Sequence, residues 1–524
     1  ILDKAFNLHL EGNIKEAIKY YKYCIVNNFN DPGIFMNYGL ILQKQGKLKE
    51  AEIAQRKAIE LKPDYSYAHL NLGSILKELR IFNEAELSIK KAIELKPDFV
   101  EAYAIMGSLC RQRFNYKEAE SFTRKAIELN PNFSPSYQIL GNLLQDDNQL
   151  EEAEKVIRKA IKMNPNLAES YLTLGNILHK NGQLKQAEIQ FLKAIKLKPD
   201  YYDAFFVLSF IQMLQGDYKS GLKNYESRFK KKKKLKLHPQ PKIPRWFGES
   251  PKKGEKLLII SEQGLGDTIH FMRYIPYLRE KGYEVIFCAQ EPLLSLIKES
   301  GIESNPISPQ DANQVLEGKY CPLLSLPLHL GVNQNNPIKV KPYISTKNEL
   351  IAKWKDIFKE EERPIIGISW QGNPEIERDD VKGRSIALEV FSKLAKTDKF
   401  RFVSLQKGFG SEQLETCSFK DKFVKSQELV SRASDFLDTA AHIQNCDLII
   451  TTDSCLSHLA GGMGQTTWVL LKALLTWRYG LDETTFWYPS MKLFHQKERD
   501  NWDEVMDRIV IELENFLINK NERI

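Results

Sequence analysis

Lys256–Arg273, KLLIISEQGLGDTIHFMR, is the stretch on which the fold turns. Leu257–Ile260 is a short apolar run of branched residues and reads as a buried strand. Gly264, Gly266 and Asp267 follow. A helical pattern then places Ile269, Met272, Ile275 and Leu278 on one face. Strand, glycine-rich turn and helix together present unpaired backbone N–H groups at a helix start beside a cleft. Asp267 falls at that start, where the helix dipole favours a carboxylate. Taken alone, Asp267 reads as a helix cap and the two glycines as a turn.

Toward the C-terminus the alternation continues. Glu284–Cys288 reads as a strand, Glu291–Ser300 as a helix and Cys321–Leu326 as a further short strand. Asn333–Val340 is polar and serves as the crossover to a second half. That half opens with the buried strand Pro364–Trp370, a polar loop Gln371–Arg384 and a helix over Ile386–Leu394. Strands follow at Arg401–Leu405, Leu448–Thr451 and Thr467–Leu471, and an amphipathic helix closes over Trp502–Phe516. Strands alternating with helices imply parallel sheets in a doubly wound fold. Such sheets bind ligands at the carboxyl ends of their strands. The candidate polar residues lie at those ends: Asp267, then Trp370, Gln371 and Asn373, then Lys407, then Asp453 and Ser454.

Toward the N-terminus the pattern changes to a repeat. Gly39, Gly73, Gly107, Gly141 and Gly175 recur every 34 residues, with Ala5 and Ser209 in phase at either end. Ala17, Ala51, Ala85, Ala119, Ala153 and Ala187 keep the spacing, as do Ala58, Ala92, Ala126, Ala160 and Ala194. Small residues suit the closest approach of two antiparallel helices, and Pro63, Pro97, Pro131, Pro165 and Pro199 punctuate the units. Six full units and a degenerate seventh near 204–230, with Gly221 at an alanine position, resemble the tetratricopeptide-repeat family. Such an array binds an extended peptide or a partner, or serves as a spacer or an oligomerisation arm. Asn37, Asn71, Tyr103, Tyr137 and Tyr171 are groove candidates, although tyrosines at these phases also pack within repeats.

Composition narrows the function classes. A net charge of +7 over 524 residues allows an anionic ligand but does not argue for nucleic acid. No run approaches the roughly 18 apolar residues of a membrane span. The seven cysteines have neither zinc nor redox spacing, which suggests free thiols in a reducing, cytoplasmic setting. The chain opens on Ile1, which implies upstream sequence, and nothing there resembles a signal peptide. Lys230–Lys234 and Lys236, followed by Pro239, Pro241 and Pro244, read as an exposed connector.

SEQGLGDTIHFMRYIPYL resembles the opening of the heptosyltransferase-like glycosyltransferases of the GT-B fold. TTDSCLSHLAGGMGQTTWVLL resembles their nucleotide-sugar motif. Repeats joined to this unit, with WQGNPEIERDDVKGRSI, SLQKG and FWYPSMKLF, are similar to bacterial tetratricopeptide-repeat glycosyltransferases. The resemblance implies an inverting transfer without a metal or other cofactor. It makes Asp267 the general base on the acceptor hydroxyl. The donor side would comprise Gly264, Gly266, Gln371, Asp453, Ser454, His458 and Gly461, with Lys382, Arg384 or Lys407 offsetting the diphosphate charge. The choice among those three cations stays open. His458 also reads as a core histidine. Gln263, Trp477, Arg478, Trp487 and Tyr488 are acceptor-side candidates, and buried packing is an equal reading for the aromatics. Asp379–Asp380 are adjacent rather than spaced as a metal motif.

The expected architecture is α plus α/β: a repeat superhelix over 1–230, a linker over 231–255, and two Rossmann-like halves over 256–340 (acceptor side) and 341–500 (donor side), with a final helix over 501–524. The expected activity is sugar transfer from a nucleoside-diphosphate sugar to a hydroxyl, on a protein or peptide held by the repeats. The alternatives are a partner-binding scaffold with a degenerate catalytic unit and, less directly, a nucleotide-sugar epimerase.

Overall fold

The computed structural model describes residues 1–231, 235, 237–250, 252, 254–338, 341–377, 383–433, 435–474 and 476–521. Lys382, Asp379, Asp380, Lys232–Lys234 and Lys236 therefore lie outside the described residues. The chain divides into two compact units, Ile1–Pro199 and Asp200–Ile524.

The first unit is built of helical hairpins. Leu2–Leu10 pairs with Ile14–Val26, Pro32–Lys44 with Leu48–Leu61 and Ser66–Glu78 with Phe82–Leu95. Val100–Gln112 with Tyr116–Leu129, Ser134–Asp146 with Leu150–Met163 and Ala168–Lys180 with Leu184–Leu197 complete it. The small residues explain the pairing. A Cβ on Gly73 would stand 2.5 Å from Ile89 Cγ1, and one on Gly39 2.5 Å from Gln55 Nε2. Each glycine thus admits a side chain of the second helix against the backbone of the first. The alanines of the repeat are fully buried at the same seam. The turn inside each hairpin needs a left-handed residue. Gly12, Gly46, Arg80, Phe114, Asn148 and Gly182, again 34 apart, have φ between +61° and +78°. Tyr137 is buried and its hydroxyl donates to the Pro131 carbonyl at 3.1 Å, so this groove candidate packs within its own repeat.

The second unit opens with the hairpin Tyr202–Leu214 and Tyr218–Tyr225, then a 3-10 turn, Glu226–Phe229. Two parallel sheets follow. β1 (Lys256–Ile260), β2 (Glu284–Cys288) and β3 (Lys319–Pro322) form the first, in the order β2-β1-β3. β4 (Ile365–Ser369), β5 (Arg401–Ser404), β6 (Leu448–Thr452), β7 (Thr467–Leu471) and β8 (Met491–His495) form the second, in the order β5-β4-β6-β7-β8. Helix Trp502–Asn521 closes the second sheet's core. Val505, Met506, Ile509, Leu513 and Leu517 pack with Ile366, Ile368, Trp370 and Phe402. Burying each such aliphatic side chain stabilises by about 1.5–3 kcal/mol.

Several elements differ from the sequence reading. The helix expected over Ile386–Leu394 is a 3-10 helix, Leu388–Lys396. Leu388, Phe391 and Leu394 are buried, and their spacing of three suits three residues per turn. β8 was not anticipated, because Lys492 interrupts a short edge strand. Pro322 ends β3, and Leu323–Ser325 form a 3-10 turn where a strand was expected. The described part of the connector is not simply exposed. Ile243 and Trp246 are buried, and the Trp246 N–H donates to the Tyr320 carbonyl at 2.8 Å beside β3.

Candidate functional site

β1 ends at Ile260 and the chain turns through Ser261–Gly264 into the helix Leu265–Phe271. Gln263 holds this turn at φ +62°, and its side chain donates to the Tyr225 hydroxyl at 2.8 Å. Asp267 lies in the first helical turn. Its Oδ2 accepts from the Gly264 N–H at 3.1 Å, a capping bond. Its Oδ1 is ion-paired with Arg478, from the segment after β7. The strand-end carboxylate of the first sheet and a cation from the second thus meet directly.

The counterpart of this turn follows β6. Asp453 and Ser454 lead into the helix Cys455–Gly462. Asp453 Oδ1 accepts from the Tyr479 hydroxyl at 3.1 Å, and Ser454 makes no capping bond. The two helix starts pack closely. A Cβ on Gly266 would stand 3.1 Å from His458 Cδ2 and 3.3 Å from the Cys455 Cα. Gly266 therefore makes room for the opposing helix. A Cβ on Gly461 would stand 2.7 Å from Tyr488 Cδ1, so that glycine also serves packing.

Around this contact lies a buried aromatic cluster. His458 Nδ1 lies 3.1 Å from the Tyr488 hydroxyl, and its ring stacks on Tyr479 at 5.9 Å. His270 packs against His458 and Trp487, each at 4.9 Å, and neither of its ring nitrogens has a protein partner. Burial, reinforced by neighbouring arginine charge, holds both imidazoles well below the usual histidine range, so both are neutral at pH 7. Trp477, Trp487 and Tyr488 are all buried. The two tryptophans pack against Phe271, Tyr225 and Tyr218, and Tyr488 against His270 and His458, all of the same unit, instead of forming an open acceptor wall. Apolar rings with such neighbours gain more from burial than from facing water. Arg273 sits beneath them, 4% exposed. It donates to the carbonyls of Trp487 at 2.6 Å and His270 at 2.7 Å and to the Tyr343 hydroxyl at 3.2 Å.

A narrow pocket opens beside Asp453, lined by Arg384, Asp453, Leu471, Lys472, Leu474, Thr476 and His495. It lies at the carboxyl ends of β6, β7 and β8, where an open parallel sheet takes its ligands. Arg384 Nε donates to Glu377 at 3.2 Å. The remaining candidates sit elsewhere. Gln371 bonds Gln406 and Gln413. Lys407 Nζ donates to the carbonyls of Val430 and Ser431. Among the described residues, the structure brings Asp267, Arg478, His458, Asp453 and Arg384 to one region and sends Lys407 to a helix end. Sequence reading missed His270, Arg273 and Tyr479. His270 and Arg273 lie in TIHFMR, three and six residues past Asp267, and were hidden by the apolar pattern between them.

Among the described residues, no group of three or more His, Cys, Asp or Glu is placed to hold a metal ion, and no helix is long and apolar enough to cross a membrane.

Comparison with known proteins identifies the helical part. Tetratricopeptide-repeat family profiles match residues 32–65, 66–99 and 100–133, and again 122–155 and 156–189. The N-terminal region is thus an array of tetratricopeptide repeats, followed by a region of parallel-sheet α/β structure. The chain is 24% identical over 337 residues to protein FlbA of Caulobacter vibrioides, covering 58% of this chain and 54% of that protein. It therefore spans about half the length of the curated relative it matches. Among solved structures, the Cut9-Hcn1 hetero-tetramer of the APC/C is similar at TM-score 0.40 and 12% identity, over 43% of this chain and 45% of that one. A tetratricopeptide repeat protein from Parabacteroides merdae is similar at TM-score 0.37 and 19% identity, over 43% of this chain and 89% of that one.

Proposed function

We propose that the chain is a glycosyltransferase of the GT-B type. It takes a sugar from a nucleoside diphosphate and passes it to a hydroxyl, with inversion and without a metal. The two parallel sheets are its two halves, and the repeats hold a protein or peptide acceptor or another copy of the chain. One observation carries this reading. The helix starts after β1 and β6 pack against each other, and Asp267 of one half is ion-paired with Arg478 of the other. Asp267 is the general base and takes the acceptor proton. Arg384 and Arg478 offset charge on the leaving diphosphate.

The test is binding and hydrolysis of UDP-, GDP-, ADP- and CMP-sugars by the purified protein and by Asp267→Ala. One donor is expected to bind both proteins. Loss of a general base is expected to slow turnover by about 10²–10⁴-fold. Failure of every donor to bind either protein would falsify the reading.

A second reading, a partner-binding scaffold with an idle catalytic unit, is favoured by two observations. Asp267 is already engaged by Arg478, and the acceptor-side aromatics are buried. A scaffold gives no thermal shift with any nucleoside diphosphate.

A further inference from the structure

Arg478 holds Asp267 through Nη2, yet its Nε is buried with no protein partner. The two residues before it are in the same condition. Thr476 Oγ1 and Trp477 Nε1 are buried and unpartnered. Buried polar groups are nearly always hydrogen-bonded, so three successive side-chain donors without acceptors point to an acceptor-rich occupant. Thr476 lines the pocket at the ends of β6–β8, together with Arg384 and Lys472. The carboxylate in that pocket, Asp453, is tied up by the Tyr479 hydroxyl. Ser454 leaves the start of the Cys455–Gly462 helix without a side-chain cap. Arg384, Lys472, the Thr476 hydroxyl and the uncapped helix start together suit the oxygens of a diphosphate group.

The Arg478 guanidinium does not itself line that pocket; it is paired with the fixed carboxylate of Asp267, and its links to the pocket are Thr476, two residues before it, and the nearby charge of Asp453, where the oxygens of a ligand would sit. Building on the glycosyltransferase reading, we propose that Arg478 is exchanged between that carboxylate and those oxygens. Without ligand it neutralises Asp267. A diphosphate in the pocket takes over the guanidinium and leaves the carboxylate free to accept a proton from the acceptor. The base is then released only when the donor is in place. No bond is made or broken in this step; one ion pair replaces another.

Reciprocal linkage makes this measurable without catalysis. If Asp267 and the ligand compete for Arg478, removing the carboxylate's charge must tighten anion binding, and only through Arg478. The experiment is calorimetric titration with inorganic pyrophosphate of wild type, Asp267→Asn, Arg478→Met and the double variant, each first checked by circular dichroism. Asp267→Asn is expected to bind pyrophosphate about 5–150-fold tighter than wild type, the usual span of site coupling. Arg478→Met is expected to bind more weakly, and the double variant as weakly as Arg478→Met alone. A gain from Asp267→Asn that survives in the double variant is a through-space charge effect and overturns the exchange. So does no gain, or no pyrophosphate binding by wild type and Asp267→Asn alike. Should Arg478→Met not fold, the cycle is run with Arg478→Lys, which keeps the charge but loses the forked geometry. A gain that is smaller in the Lys background than in wild type then supports the exchange, and an equal gain overturns it. Donor turnover in the same samples separates the two ideas. Turnover with an additive cycle removes only the exchange. A non-additive cycle with no turnover of any donor removes the transferase reading.

Discussion

At the scale of single residues, the repeat is governed by two positions with opposite demands. One is the glycine seam, where Gly73 meets Ile89, and it was legible because a missing side chain leaves a mark every 34 residues. The other is the left-handed turn residue, which was not legible because three repeats fill it with Arg80, Phe114 and Asn148. Phe114 is the sharpest case: its φ is +61° and its ring is 69% exposed. A left-handed conformation costs an ordinary residue about 1–2 kcal/mol, and glycine's extra freedom when unfolded returns roughly 0.5–1. Phe114→Gly is therefore expected to stabilise the protein by up to about 1 kcal/mol, read from chemical denaturation. A loss of stability would mean that the ring's contact with Tyr116 outweighs the backbone. The site shows the same division. Asp267 was legible because a carboxylate after a glycine turn is conspicuous. Arg478 was seen only as a neighbour of tryptophans, since its partner lies 211 residues away in sequence.

At the scale of elements, the helix pair Tyr202–Tyr225 is the degenerate seventh unit of the repeat pattern. Its spacing belongs with the repeats, but its contacts belong with the α/β region. The 3-10 turn after it supplies the reason. Arg228 is 2% exposed and forks onto Glu262 at 3.0 and 2.9 Å, and Glu262 is itself fully buried just after β1. The Leu324 N–H completes the carboxylate at 3.0 Å. Breaking a buried pair leaves an uncompensated charge and costs about 3–5 kcal/mol. A fragment beginning at Asp200 is therefore expected to be soluble and to unfold cooperatively. One beginning at 231, the boundary that the repeat count suggests, would leave Glu262 without Arg228 and is expected to aggregate or melt far lower. Equal melting of the two fragments would show that the pair contributes little. Position within a repeat is written in local spacing, whereas the Arg228–Glu262 contact depends on tertiary placement that no spacing encodes.

At the scale of the whole molecule, the two units differ in what acid does to them. The second unit buries His270, His442 and His458, all held below the ordinary histidine range first by burial. His442 is brought down to about 3, with the Lys407 charge as a further cause. Between that value and 6.5 the unfolded chain binds a proton that the folded chain refuses. Its contribution is thus complete above about pH 6.5 and is lost as pH falls. At about pH 4.5 His442 alone removes roughly 2–3 kcal/mol. All seven tryptophans lie in this unit, the first of them being Trp246. On acidification from pH 7, tryptophan fluorescence is expected to change before the helical circular dichroism, with the early transition shallower in His442→Gln. Coincident transitions at the same pH would contradict this order.

The helix Trp502–Asn521 has a consequence for how the chain is made. Each hairpin of the first unit buries its surface against a neighbour synthesised moments earlier, so that unit is able to mature as it leaves the ribosome. The five-stranded sheet cannot. Its core waits for Val505, Met506, Ile509, Leu513 and Leu517, and Lys520 then pairs with Asp447 at the foot of β6. Until those residues emerge, the apolar faces of β4 and β6 are covered only in part, by Leu388, Phe391 and Leu394, and the nascent sheet is open to aggregation for that interval.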